Sequence, residues 1–203
     1  VNTFDLGEHG YTLFNGGSFG FRTGGSESGW IDDLKITNEA GVVVYQNDFS
    51  ESTSDFGNGT VSDGKLIVGK SGRAYYTVTD NIFTNAGWYD YDLECDFGVT
   101  AKALGFSFYT DNAENNCYMW QVRADRNVLC PHVFVNGVAN VDTSADGSAD
   151  VSLGKAGVTV GLNETHKLKL SLRGKVVTTY IDGVQVDTRE MGEYSSGSIG
   201  FRC

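Results

Sequence analysis

Residues 91–99 read YDLECDFGV. In an extended chain, successive side chains point to opposite sides, so Leu93, Cys95, Phe97 and Val99 share one face while Glu94 and Asp96 share the other. That alternation predicts a strand with one face in a core and the other in water. The next run, ALGFSFYT (103–110), continues it with Leu104, Phe106 and Phe108 inward. The pattern returns in NCYMWQVRA (116–124), VLCPHVFVNG (128–137) and HKLKLSLRG (166–174), the last with Leu168, Leu170 and Leu172 inward. VVTTYIDGVQVDT (176–188) reads as a hairpin, because Asp182-Gly183 tolerates the positive φ angles of a tight two-residue turn. Strands at short, regular spacing predict an all-β protein, an antiparallel sandwich of the jelly-roll kind.

Composition agrees. The 203 residues include 27 Gly, a single Pro and 12% aromatic residues, which suits many strands joined by Gly, Asn, Asp and Ser turns in one large β domain. A formal charge of −11 with no cluster of Lys or Arg opposes nucleic acid as a partner, since phosphate contacts need clustered cations. No apolar run approaches the ~18 residues of a membrane-spanning helix, so membrane insertion is not expected. The sequence reads as a piece excised from a longer chain. The four cysteines, Cys95, Cys117, Cys130 and Cys203, lack CxxC spacing, which removes support for a zinc or redox motif. Cys95, Cys117 and Cys130 lie in predicted strands and read as small buried thiols, with a disulfide as the alternative.

One stretch occurs twice: GSFGFRT at 17–23 and GSIGFRC at 197–203. The first copy leads into WIDDLKIT (30–37), whereas the second has no such continuation. Residues 1–41 therefore read as terminal strands of a preceding repeat that pack on the sandwich, and 42–203 as a sandwich missing its last strand. An unfilled strand position would leave unpaired backbone groups, so Leu34–Thr37 is expected to fill it, in its own chain or by exchange with a neighbour.

Four pieces, VVVYQNDFS (42–50), NNCYMWQVRADRNVLCPHVFVNG (115–137), HKLKLSLRGKVVTTYIDGVQVD (166–187) and GSIGFR (197–202), resemble the concanavalin A-like, laminin-G-like sandwich modules of bacterial glycoside hydrolases. The likeness is to the family 66 carbohydrate-binding modules and the sandwich modules of multidomain family 78 α-L-rhamnosidases. It spans most of 42–203, and 10–37 looks like terminal strands of the same type of module. The resemblance implies a concanavalin A-like fold, no catalysis, and an extracellular bacterial module that binds a plant-type or host glycan beside neighbouring enzyme domains. A structural spacer or adhesin-type module without sugar binding is the alternative.

Sugars are held by stacking on aromatic rings and by hydrogen bonds from planar amides and guanidinium groups. In YMWQVR, alternation separates Tyr118, Trp120 and Val122 from Met119, Gln121 and Arg123. If Tyr118 and Trp120 are core, then Gln121, Arg123 and His132 of the next strand line a concave surface; otherwise Trp120 itself is a stacking ring. Trp88 and Tyr89, in WYDY (88–91), form a second candidate platform. Glu27 and Trp30, in SESGWIDD (26–33), form a third if the N-terminal segment docks at the same end.

Two acidic clusters suggest structural calcium, a hard ion that wants several oxygens. DTSADGSAD (142–150) offers Asp142, Asp146 and Asp150, although Leu153 stands where a calcium loop ends in Glu. Asp32, Asp33, Asp48 and Glu51 form the other cluster. No G-x-S-x-G, HExxH or phosphate loop is present, the three histidines are scattered, and no local carboxylate signature suggests a glycosidase pair, so an enzyme is not expected.

Overall fold

The computed structural model describes residues 20–22, 25–51, 55–57, 59–69, 73–76, 90–108, 117–135, 138–141 and 150–190. In chain order the strands begin with β1 (Gly20–Arg22), β2 (Ser28–Asn38), β3 (Val43–Asn47), β4 (Phe56–Gly57), β5 (Thr60–Ser62), β6 (Lys65–Val68), β7 (Arg73–Tyr76) and β8 (Tyr91–Ala101). They continue with β9 (Ala103–Phe108), β10 (Cys117–Arg123), β11 (Val128–Val135), β12 (Val138–Val141), β13 (Val151–Ser152), β14 (His166–Arg173), β15 (Val176–Ile181) and β16 (Val184–Glu190).

These strands form two eight-stranded antiparallel sheets, so the fold is the expected β-sandwich. Sheet A runs β12-β11-β10-β9-β1-β7-β4, with β13 also on β11; sheet B runs β16-β15-β14-β8-β2-β6-β5, with β3 also on β2. The alternation of YDLECDFGV is realised in β8: Leu93, Cys95, Phe97 and Val99 are buried, while Asp92, Glu94 and Asp96 lie on the outer face of sheet B. Across the interior, Phe97 of sheet B meets Phe106 of sheet A edge to face at 5.3 Å, and Phe21 of β1 meets Phe106 at 6.1 Å. Such T-shaped contacts align the positive ring edge with the negative ring face. The β15–β16 hairpin turns at Asp182 (φ 52°) and Gly183 (φ 78°), the two positive angles expected of that dipeptide. Asp182 also ties the turn to β14, its carboxylate accepting from the Lys167 N–H at 2.8 Å and pairing with His166 Nδ1 at 2.7 Å.

The described N-terminal strands, β1 and β2, pair on both sides. β1 sits between β9 and β7, and β2 sits between β8 and β6, so residues 20–38 contribute interior strands to both sheets. β2 and β3 form a hairpin across residue 41. Leu34–Thr37 pairs with β3 on one side and β8 on the other. A bulge makes this possible: the register of β2 on β8 shifts between Asp32 and Lys35, where Asp33 takes φ 48°. The extra residue bends the strand, so β2 pairs with β6 over Gly29–Ile31 and with β3 beyond the bulge. The second copy of the repeated stretch, 197–203, lies outside the described residues, as do residues 1–19 and Cys203. Cys95, Cys117 and Cys130 are buried free thiols, as the blander reading expected.

Candidate functional site

Strand β10 decides which side chains can meet a ligand. Tyr118, Trp120 and Val122 point into the sandwich and are fully buried. Trp120 packs edge-on against Phe108 at 4.8 Å and Tyr118 at 6.1 Å, and its indole N–H donates to Thr179 Oγ1 of sheet B at 3.0 Å. Trp120 is therefore a packing residue that joins the two sheets and is removed from the set of ligand contacts. The cause is the strand period: with Tyr118 and Val122 in the core, the residue between them on the same face must be there too.

The opposite face of β10 is the outer face of sheet A. Gln121 lies there with only 7% of its surface exposed, and its side-chain amide donates to Glu27 Oε2 at 3.1 Å. Arg123 reaches back to Gln121 Oε1 at 3.5 Å and forks onto Asp125 through Nε at 3.1 Å and Nη2 at 2.8 Å. The hydrogen bonds and charge of Asp125 hold the Arg123 guanidinium above its ordinary value, and the guanidinium in turn holds the Asp125 carboxyl below the usual range. Both groups stay charged at neutral pH. A carboxylate, an amide, a guanidinium and a second carboxylate are thus fixed in one row, with donors and acceptors at known directions. His132 of β11 stands opposite Met119, two register positions along from Gln121, with its ring 6.5 Å from Phe134 and both ring nitrogens buried. Cys117, Met119 and Phe134 form a second buried cluster on this face, apart from the inter-sheet core.

Glu27 and Trp30 do not form one platform. Glu27 joins the sheet A row, whereas Trp30 lies on the outer face of sheet B, 9% exposed, directly across from Gly98 and with the Lys65 ammonium 3.9 Å over its ring. One residue lies before β2 and the other within it, and the turn into the strand sends their side chains to different sheets. Trp88 and Tyr89 lie outside the described residues.

The described acidic residues of the two clusters serve local contacts. Among the described residues no group of three or more His, Cys, Asp or Glu side chains is placed to hold an ion. Asp32 accepts the Asp33 N–H at 2.8 Å and Asp48 the Ser50 N–H at 3.0 Å, each serving its local turn. Burial raises the Asp32 carboxyl above its ordinary value, and the Asp33 hydrogen bond only partly offsets this. Asp150 pairs with Arg126 and accepts from the Cys130 thiol at 2.7 Å. Burial, followed by that carboxylate, pushes the Cys130 thiol up to about 12. Asp142 and Asp146 lie outside the described residues.

Sequence reasoning missed the outer face of sheet B. There the acids of β8 meet the bases of β14 and β2: Lys167 with Asp96, Lys169 with Asp92 and Lys35 with Glu94, each at 2.7 Å, and Arg173 with Asp92 at 2.8 Å. The signal was present as Lys167, Lys169, Ser171 and Arg173 alternating with leucines, and as Asp92, Glu94 and Asp96 alternating with core residues. Nothing in the sequence said that these two strands are neighbours. Burial pushes the Asp92 carboxyl up, but hydrogen bonds from Lys169 and Ser171 with the charge of Arg173 outweigh it, and the net shift is downward. A depressed folded-state value means that ionised Asp92 stabilises the fold above its unfolded value of about 4, a contribution lost as pH falls through the folded value. Asp92→Asn is expected to cost about 1 kcal/mol at pH 7 and to flatten the loss of stability below pH ~4. Urea unfolding at a series of pH values checks it, and a variant with an unchanged acid limb would remove Asp92 from this role.

No family model matches the chain, and no curated protein matches it. Comparison with solved structures finds the carbohydrate binding module CBM66 from Bacillus subtilis, 15% identical with a TM-score of 0.39, the match covering 91% of this chain and 72% of that one. The architecture stated above stands on the strand pairing itself. No helix among the described residues is long and apolar enough to cross a membrane.

Proposed function

We propose that this chain is a non-catalytic carbohydrate-binding sandwich, and that it serves as an extracellular module beside the catalytic domain of a bacterial glycoside hydrolase. One observation carries the site: Glu27, Gln121, Arg123 and Asp125 are hydrogen-bonded into a single row on the outer face of sheet A. An amide that both donates and accepts, flanked by carboxylate and guanidinium groups, matches sugar hydroxyls, which do the same. The groups hold one another in place before a ligand arrives, so less ordering is required on binding. His132, two register positions along on the same face, has both ring nitrogens buried and is not part of the row. The setting in a hydrolase, the extracellular location and the plant-type or host glycan are parts of this proposal that follow from the resemblance of the sequence to such modules.

The test is a glycan-array screen of the purified chain beside a Gln121→Ala/Arg123→Ala double variant of verified fold. Loss of two hydrogen-bonding groups, one of them charged, is expected to weaken binding by about tenfold to a hundredfold. Glycan binding that survives intact in the variant would remove the site from sheet A. Well-folded protein that binds no glycan would sink the reading and leave the spacer or adhesin-type module.

A further inference from the structure

Besides the row on sheet A, the molecule has a trough of about 1010 Å³ on the opposite side, across the outer face of sheet B. One line of cross-strand partners crosses it: Gln46 of β3, Lys35 of β2, Glu94 of β8, Lys169 of β14 and Tyr180 of β15. At the usual strand spacing of ~4.8 Å, five strands span roughly 19 Å, which is the length of an extended chain and not of one ring. The line reads amide, ammonium, carboxylate, ammonium, phenol. The Lys35–Glu94 ion pair places a donor beside an acceptor, Lys169 stands on the other side of Glu94 in register while pairing with Asp92, and a vicinal diol needs that same alternation.

We infer that this trough is a second binding site, for a neutral polyhydroxylated chain such as an unsubstituted oligosaccharide, lying across the strands with Tyr180 as the apolar contact at one end. The inference extends the carbohydrate-binding reading to another face and rests on that reading for the class of ligand. Charge selects against polyanions: five carboxylates line the trough against four cations, so a uronate or sulfate polymer finds no excess of positive charge, and a polycation finds a surplus of only one carboxylate. A peptide strand adds along a sheet edge, whereas the trough runs across the face of β2, β8, β14 and β15, each paired on both sides, and reaches the edge strand β3 only at one end. A second copy of the chain would need an apolar centre to its interface, and the floor is charged. The pairs are also open enough to accept hydroxyls. Lys35 and Glu94 keep 43% and 36% of their side-chain surface, and partly exposed ion pairs hold so little net energy that a ligand can insert between them.

The experiment is calorimetric titration of cello-, xylo-, manno- and fructo-oligosaccharides, with oligogalacturonate as the charged control. Four proteins are compared: the natural chain, Gln121→Ala/Arg123→Ala, Glu94→Ala/Tyr180→Ala, and the volume-conserving Glu94→Gln/Lys169→Gln as a second trough variant. The expected result is a neutral oligosaccharide that still binds when the sheet A row is removed, and that loses about tenfold or more in affinity in the trough variants. All binding lost in the sheet A variant would overturn the trough and leave the first site standing. Binding lost in the trough variants alone would support the trough and overturn the first site. Oligogalacturonate bound in preference to every neutral chain, or no binding by the natural chain, would overturn the inference.

Discussion

Trp120→Ala is expected to lower the unfolding free energy by about 3–5 kcal/mol, a loss measurable by urea or guanidinium unfolding. The indole is fully enclosed, touches Phe108 and Tyr118 edge-on, and supplies a hydrogen bond between the sheets through Thr179. Truncation therefore leaves a cavity between two sheets whose backbones are fixed by their own ladders and collapse poorly. Thr179→Val separates the polar part from the packing part, because it keeps the volume but leaves the buried indole N–H without its acceptor, at a cost of about 1–3 kcal/mol. A Trp120→Ala loss below about 1 kcal/mol would mean that the ring is not in the interior, and Trp120 would return to the list of stacking residues.

Gly98→Val is expected to destabilise by about 1–3 kcal/mol and to displace Trp30. A Cβ at residue 98 would fall 2.4 Å from the Trp30 indole, and the ring cannot yield without leaving the sheet face where Lys65 covers it. Two measurements report the outcome. Unfolding gives the energy, and tryptophan emission gives the position, since a ring moved into water shifts to the red. To assign the shift, the same substitution is made in a Trp30→Phe background, where the red shift should vanish. A variant as stable as the natural chain with unmoved emission would show that Trp30 does not lie over Gly98.

Both predictions concern aromatic residues that alternation alone could not place. In YMWQVR the period of two separated Trp120 from Gln121 and Arg123 but left open which set was inside. The structure decided it through Thr179, 59 residues away, which gives the indole N–H a buried acceptor. Glu27 is a similar case. Its contact with Gln121 joins residues 94 apart, and no local pattern indicates a loop before β2 reaching sheet A while Trp30, three residues later, lies on sheet B. The Asp32–Asp33 pair has a role that the sequence did not indicate: Asp is among the few side chains that tolerate positive φ, and Asp33 takes φ 48° at the bulge.

The strands themselves were legible because burial of one face imposes a period of two on any half-buried strand, whatever its neighbours. YDLECDFGV, ALGFSF, HKLKLSLR and the Asp182-Gly183 turn carry that information locally, and with it the sandwich class and most of the inter-sheet core. Strand order and register are long-range quantities, set by which ladders close with all their hydrogen bonds made and all their apolar faces inward. They alone put Lys35, Glu94 and Lys169 side by side across three strands, placed β2 in the middle of sheet B, and separated the row on sheet A from the trough on sheet B. The sequence determined which faces of the strands are polar; the tertiary pairing decided which polar groups meet, because hydrogen bonds between side chains need proximity that no one-dimensional spacing encodes.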